Sequence, residues 1–202
     1  MRRVVALWVV LLGAFAVSAQ TGSEVLRTVS EKVGAIGAYR IDFELTMAGA
    51  EKPSEGYCVV DGEKYLIAIE DLKQGCDGTT LWMLNGANRE VTLDRPNTES
   101  RSLFDNPTRA FDFAEELFDV VSFEELSATV WRLVLRPAEG VLDGIESVVL
   151  EVSRATKLPT LLGYDMGGVG LFVRIDNFAP TTPSEREFAQ PEEEGFEVID
   201  FR

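Results

Sequence analysis

Tight-turn dipeptides recur at short intervals through the first half of the chain, at Asp61-Gly62, Asp77-Gly78 and Asn85-Gly86. Such pairs close two-residue β-hairpins, because glycine accepts the positive φ that these turns require. Runs rich in apolar residues flank them, at about 57–60, 64–70, 73–76, 80–84 and 89–94. One hairpin directly after another predicts an antiparallel meander.

Further strands are predicted on both sides of this meander. The segment "YRIDFELTM" alternates apolar and polar residues with the period of a half-buried strand. After residue 127, strand patterns resume at 129–137, 145–153, 158–165 and 169–178, followed by a terminal "FEVIDFR". These runs predict one antiparallel sheet of about ten strands. A sheet that wide curls strongly or closes, and a curled open sheet has a concave face that needs a cover.

Two segments have helical spacing and are available as that cover. Residues 23–36 carry apolar side chains at three- and four-residue intervals, with Ser23 as the expected N-cap. Residues 97–127 lack a strand pattern. Pro107 is typical of the first turn of a helix, and phenylalanines follow it at helical spacing. We therefore predict a mainly β, α+β fold: an open half-barrel covered by an N-terminal helix and an inserted helical lid at about 97–127.

The first twenty residues predict an export signal. Arg2 and Arg3 precede an apolar run from Val4 to Val17, and Val17-Ser18-Ala19 has the small-x-small pattern of a signal peptidase site. We expect residues 1–19 to be removed and 20–202 to form a single exported, soluble domain. A membrane anchor is the alternative, although the run is short for a span and nothing basic follows it.

The charged residues exclude several classes of function. The chain has 19 basic and 34 acidic residues, a formal net charge of −15, which repels nucleic acid and anionic lipid headgroups. Histidine is absent, which removes the commonest general base and the commonest zinc ligand. Paired carboxylates such as Glu115-Glu116 are typical of a solvated face in so acidic a chain. We expect no enzymatic activity, no cofactor and no metal site.

Cys58 and Cys76 are the two cysteines. An exported pair suggests a disulfide. The predicted strands that carry them, however, lie on either side of a third strand, which places them roughly 9 to 10 Å apart, beyond the reach of a disulfide. Free thiols are the prediction, with the disulfide as the alternative.

The segment "CDGTTLWMLNGANREVTL" resembles the LolA family of periplasmic lipoprotein carriers. That family has a Ser-Asp-Gly-Lys-Thr-Leu-Trp-x-Tyr motif, which this chain matches at Asp77, Gly78, Thr80, Leu81 and Trp82. The resemblance extends to the first helix and strand, to "SEGYCVVDGEKYLIAI", to the lid position at "NPTRAFDFA" and to the closing "FAQPEEEGFEVIDFR". The family's Arg-Pro, whose arginine ties sheet to lid, falls here on Asp61-Gly62, so the resemblance does not carry that latch to this chain.

The resemblance implies a carrier in the periplasm of a Gram-negative bacterium. It would shield the acyl chains of outer-membrane lipoproteins in a hydrophobic cavity and move them from the inner to the outer membrane. The implied partners are acylated lipoproteins, an inner-membrane lipoprotein-release transporter and an outer-membrane acceptor, and the expected state is a monomer. The acyl cavity is predicted to be lined by Ile41, Phe43, Leu45, Met47, Tyr65, Ile67, Trp82, Leu84, Phe104, Phe111, Leu117 and Phe118.

Strand facing carries a specific ambiguity. A slip of one residue moves every side chain of a strand to the other face. We predict that Trp82 and Leu84 face the concave side, with Leu81 and Met83 behind them. Two other functions use the same fold: a lipid- or lipoprotein-sensing interaction protein, and a general lipid or fatty-acid binder.

Overall fold

The computed structural model describes residues 21–114, 116–142, 144–192 and 194–202. The predicted signal peptide lies outside these residues. Twelve strands form one sheet in the order β12-β6-β5-β4-β3-β2-β1-β11-β10-β9-β8-β7. Their bounds are β1 Tyr39–Met47, β2 Ser54–Asp61, β3 Lys64–Ile69, β4 Leu72–Cys76, β5 Leu81–Asn85, β6 Glu90–Asp94, β7 Phe118–Glu125, β8 Val130–Pro137, β9 Ser147–Ser153, β10 Pro159–Asp165, β11 Gly170–Pro180 and β12 Glu197–Asp200.

The sheet consists of two antiparallel meanders, β1 to β6 and β7 to β11, which are joined by the pairing of β1 with β11. Neighbouring strands are antiparallel except β12, which runs parallel to β6. Strands β12 and β7 each have one neighbour, so the sheet is open at both edges. The mainly β class and the open sheet agree with the prediction, whereas the strand count is twelve rather than about ten.

Two side chains from distant strands show that the sheet curls. The Tyr65 hydroxyl on β3 donates to the carbonyl of Asp105, at 2.9 Å. The Tyr164 hydroxyl on β10 lies against the backbone amide of Leu103, two residues earlier. In a flat sheet these strands, four steps apart, would be separated by roughly 19 Å. Both side chains reach one short segment, so the face that carries them is concave.

The N-terminal helix, α1, spans Gly22–Gly34 and begins one residue earlier than the sequence predicted. Its N-cap is Thr21 rather than Ser23. The Thr21 side chain accepts from the amide of Glu24, and the Glu24 carboxylate accepts from the amide of Thr21, at 2.9 Å. This reciprocal capping box satisfies two backbone donors that the first turn leaves free. The apolar face of α1 packs into the concave side of the sheet.

The predicted helical lid is wrong in its secondary structure. Between 97 and 127 the described residues contain one short 3-10 turn, Pro107–Arg109, and then strand β7. A β-bulge between Val120 and Ser122 explains the error. Because of this extra residue, Phe118, Val120 and Phe123 all pack against the core, at spacings of two and three. This mixed spacing hides the period of two that would identify the strand.

A second, very short helix lies on the opposite side of the sheet. This helix, α2, spans Glu185–Phe188. Its last residue, Phe188, is 1% exposed and packs against Trp82, Leu84 and neighbouring outer side chains. We call the concave side, which carries α1, the inner face, and the side that carries α2 the outer face. No helix within the described ranges is long and apolar enough to cross a membrane.

Candidate ligand-binding site

A segment that we call the strap, residues 97–114, crosses the inner face of the sheet. Leu103, Phe111 and Phe113 on it are buried in the same cluster as inward side chains of α1 and the sheet. The rings of Phe111 and Phe178 lie 5.7 Å apart. The strap therefore fills the hollow of the curled sheet with its own aromatic side chains.

Polar side chains from four different elements bind the backbone of the strap. Tyr65 donates to the Asp105 carbonyl, as described above, and Gln74 on β4 donates to the Phe104 carbonyl at 2.7 Å. Ser30 on α1 donates to the Phe111 carbonyl and accepts from the Phe113 amide, both at 3.0 Å. Tyr39 on β1 reaches the Pro107 carbonyl at 3.4 Å. All of these contacts are to backbone atoms of the strap. The position of the strap is therefore determined by a few hydrogen bonds to its backbone and by the packing of its aromatic side chains.

Burial governs the ionisation of these tyrosines. It raises the pKa of Tyr65 to about 12, and the carboxylate of Asp105 acts in the same direction. Tyr39 and Tyr164 also have their pKa raised, chiefly by burial. The hydroxyls are therefore protonated at neutral pH, which the Tyr65 donor role requires.

An apolar notch opens beside Phe104 of the strap, on the inner face. Its volume is about 140 Å³, and its lining residues are Ile67, Ile69, Leu72, Lys73, Gln74, Met83 and Phe104. Leu72 is 51% exposed and Met83 45% exposed, so two large apolar side chains stand at its mouth in contact with solvent. Among five cavities in the described residues, the notch has the most apolar lining.

A larger polar groove lies next to the notch on the same face. It encloses about 410 Å³ and is lined by Glu63, Tyr65, Cys76, Gly78, Pro96, Asn97, Thr98, Glu99, Asn106, Thr108 and Arg109. Asn106 is 7% exposed and donates to the carbonyls of Asn97 and Thr98. The strap separates this polar groove from the notch.

The predicted cavity residues fall into four groups, of which the last, Trp82 and Leu84, lies on the outer face. Six are buried in the inner cluster, namely Ile41, Phe43, Tyr65, Ile67, Phe111 and Phe118. Three are partly buried against it, namely Leu45, Phe104 and Leu117. Phe118 lies on strand β7 rather than on a lid helix. Met47 is 48% exposed at the end of β1, away from the cluster.

Trp82 and Leu84 are on the other face, so the predicted facing of β5 is wrong by one residue. Both belong to the outer cluster under α2, where the Trp82 indole donates to the Phe188 carbonyl at 2.8 Å. Gly75 makes room for the Trp82 ring, because a Cβ at that position would lie 2.2 Å from it. Leu81 packs inward instead, and Met83 lines the notch.

Sequence reasoning missed Ile69, Leu72 and Gln74 as notch residues. The pairing in the β3–β4 hairpin would have identified them, because Ile69 pairs with Leu72 and Ile67 pairs with Gln74. Directly paired residues share a face. Since Ile67 faces inward, the two-residue turn after Ile69 places Leu72 and Gln74 inward too.

Cys58 and Cys76 are free, buried thiols, as predicted. Cys58 pairs with Ile67 and Cys76 with Tyr65, so β3 lies between them. Burial raises the pKa of each thiol. Within the described residues no group of three histidine, cysteine, aspartate or glutamate side chains is arranged to hold a metal ion.

No family model matches this chain, and no curated protein matches it either. Several solved structures do match it. An uncharacterized conserved protein from Thermus thermophilus is 11% identical over 90% of this chain and 99% of its own, with a TM-score of 0.59. LolA superfamily protein NE2245 from Nitrosomonas europaea is 11% identical over 85% and 99% of the two chains, with a TM-score of 0.45. Lipoprotein LppX from Mycobacterium tuberculosis is 8% identical over 81% and 99%, with a TM-score of 0.41.

At these identities the likeness is one of fold. The first of these structures shares the overall architecture of this chain. One of these neighbours is a LolA superfamily protein by name.

Proposed function

We propose that this protein binds the acyl chains of lipoproteins between its inner face and the strap, and carries them across the periplasm of a Gram-negative bacterium. The observation that carries the proposal is the apolar notch, whose mouth holds the solvent-exposed Leu72 and Met83. An exposed apolar pair beside an apolar cavity is typical of a site for an apolar ligand. The sequence resemblance to the LolA family supports the same function.

The size of the notch limits how much of an acyl chain it accepts. A cavity of about 150 Å³ accommodates a benzene-sized molecule, and the notch holds about 140 Å³. It therefore accepts one end of an acyl chain but not a whole one. The strap's phenylalanines fill the rest of the compartment, so a whole acyl chain fits only if the strap moves.

Loading would proceed by exchange of the strap for the ligand. Phe104 is only partly buried, whereas Leu103, Phe111 and Phe113 are buried. An acyl chain that enters the notch meets Phe104 first and displaces it. Each methylene removed from water contributes about 0.8 kcal/mol, so six methylenes contribute about 5 kcal/mol. That gain offsets the two hydrogen bonds that hold the strap at Phe104 and Asp105, each of about 1 kcal/mol. Release is the reverse step, in which the strap refills the hollow.

The further parts of the proposal follow from a carrier role. The protein acts by binding rather than by catalysis, works as a monomer, and exchanges lipoproteins with an inner-membrane release transporter and an outer-membrane acceptor. The Arg-Pro latch of the LolA family is absent at Asp61-Gly62, and the hydrogen bonds from Ser30, Tyr65 and Gln74 to the strap backbone take its place.

Mutation of the notch mouth tests the proposal. Met83→Glu places a charge in the notch and should weaken binding of a fluorescent acyl probe at least tenfold. The side chain is 45% exposed, so the fold should survive, as circular dichroism would show. The matched control is Val169→Glu, which changes a side chain of equal exposure in the β10–β11 turn. Equal binding by both variants would place the acyl site elsewhere.

The cargo is identified by native mass spectrometry of protein purified from the periplasm. Bound acylated lipoprotein is the expected result. Free lipid alone would instead make the protein a general lipid binder. Absence of any acyl ligand, together with no affinity for the acyl probe, would contradict a carrier role altogether.

A further inference from the structure

The polar groove and the notch are adjacent compartments on one surface. Tyr65 and Cys76, which line the groove, form one row of paired residues across β3 and β4. Ile67 and Gln74, which line the notch, form the next row of paired residues on the same face, two positions along each strand. Residues two apart on a strand lie roughly 6.6 Å from each other. A ligand that occupies the notch therefore ends within a few ångströms of the groove.

The partition between the two compartments is a small part of the strap. It consists of Phe104 and Asp105, whose carbonyls accept from Gln74 and Tyr65. Gln74 also donates to the Tyr65 hydroxyl at 3.4 Å, so the two donors adjoin. Displacement of Phe104, which acyl binding requires, breaks this partition and joins the apolar notch to the polar groove. The joined cavity has one apolar end and one polar end.

Two of the three charged side chains in the groove lining are acidic. These are Glu63 and Glu99, and the one cationic side chain in the lining, among the described residues, is Arg109. Arg109 already lies 3.7 Å from Glu99 and 3.6 Å from Asp112. The pKa of the Cys76 thiol in the groove wall is raised first by burial and then by the carboxylates of Asp77 and Glu63. An anionic ligand head in the groove would therefore be repelled by these carboxylates.

We propose that the polar groove receives the head of an amphiphile whose acyl chain occupies the notch, and that this head is uncharged or cationic and forms hydrogen bonds. The proposal rests on the acyl-binding function and adds the chemistry of the head. Hydroxyl or amine groups fit the acceptors available in the groove, which include the Glu63 carboxylate and the second lone pair of the Asn97 carbonyl. Acyl ligands with phosphate or free carboxylate heads are disfavoured.

Three probes with the same sixteen-carbon chain test the charge of the head. They are palmitate, monopalmitoylglycerol and O-palmitoylcholine, each titrated below its micelle concentration by calorimetry at pH 8 and low ionic strength. Palmitate should bind about five- to tenfold more weakly than monopalmitoylglycerol, and O-palmitoylcholine at least as tightly as the glycerol ester. In the double variant Glu63→Gln/Glu99→Gln, the ratio between palmitate and the glycerol ester should narrow severalfold.

The control separates the groove from the charge of the whole molecule. Glu51→Gln/Glu139→Gln removes two exposed carboxylates from turns outside the groove, and should leave the ratio unchanged. Equal narrowing by both double variants would overturn the proposal. The proposal would also be overturned if palmitate bound as tightly as the glycerol ester and lost that binding in Lys73→Gln. That result would place the head of the ligand at the notch mouth, beside Lys73. Failure of all three probes to bind would contradict the acyl-binding function itself.

Discussion

Gly75 decides, at the scale of a single residue, which face of β5 carries its tryptophan. It pairs directly with Trp82, and a Cβ there would lie 2.2 Å from one ring carbon and 2.4 Å from another. Gly75→Ala should therefore push the Trp82 indole away from the sheet and weaken the hydrogen bond from the indole N–H to the Phe188 carbonyl. Overpacking of this kind costs about 1 to 3 kcal/mol. Urea unfolding should show that loss, and tryptophan emission should shift to longer wavelength.

Gly34→Ala is the control for this prediction. Gly34 closes α1, and nothing lies within 4 Å of a Cβ added there. Alanine is favoured over glycine in a helix by up to about 1 kcal/mol, so this variant should be as stable as the parent or more so. If Gly75→Ala were also neutral, the Trp82 ring would have to move without cost, and its packing would not determine the facing of β5.

Strand β5, at the scale of elements, shows what the sequence predicts and what it does not. Its hairpin turns, its existence and its neighbours follow from Asp77-Gly78 and Asn85-Gly86. Which face each side chain occupies does not follow from the sequence, because all four positions 81–84 are apolar and the two faces of the strand are equally hydrophobic. The deciding contacts come from Gly75 and from Phe188, about 100 residues away. The contact with Phe188 is long-range and leaves no local pattern around Trp82.

Strand β7 shows a different limit. Its bulge between Val120 and Ser122 breaks the period of two that identifies a strand. The apolar content of 97–127 did predict a segment that covers the inner face, and the strap does so. What could be predicted from the sequence is therefore the cover and its phenylalanines. Its irregular backbone could not be predicted, because hydrogen bonds from Ser30, Tyr65 and Gln74 stabilise it instead of a helix.

The contact between α1 and the strap allows the mobility of the strap to be tested. Ser30 both donates to Phe111 and accepts from the amide of Phe113. Ser30→Ala should leave that amide without its partner and speed its hydrogen exchange at least tenfold. The affinity for an acyl probe should rise severalfold, because less free energy is needed to reach the open form.

Thr28→Ala is the matched control on the same helix. The Thr28 hydroxyl donates to the Glu24 carbonyl within α1, at 2.7 Å, and does not touch the strap. Faster exchange at Phe113 in both variants would mean that α1 itself had loosened. Faster exchange in Ser30→Ala with unchanged probe affinity would mean that movement of the strap's C-terminal half does not limit ligand entry.

At the scale of the whole molecule, buried tyrosines connect the sheet, the strap and the stability of the fold. Tyr39, Tyr65 and Tyr164 lie on strands β1, β3 and β10 and face one compartment. All three have a pKa raised above the ordinary value of about 10. A phenol with a raised pKa in the folded state stabilises the protein fully below pH 10. That contribution declines as the pH rises through the folded pKa, which is about 12 for Tyr65.

Alkaline unfolding should therefore begin with loss of the strap. The shift at Tyr65 corresponds to about 2 to 3 kcal/mol of stability that disappears between pH 10 and 12. Urea unfolding at pH 9 and pH 11.5 measures this loss, and Tyr65→Phe should reduce it. At pH 9 the same variant should be less stable by about 1 to 3 kcal/mol, because the Asp105 carbonyl loses its donor. Lysine deprotonation affects both proteins alike, so it cancels in the comparison. An identical alkaline loss in both would show that Tyr65 does not couple the strap to the stability of the sheet.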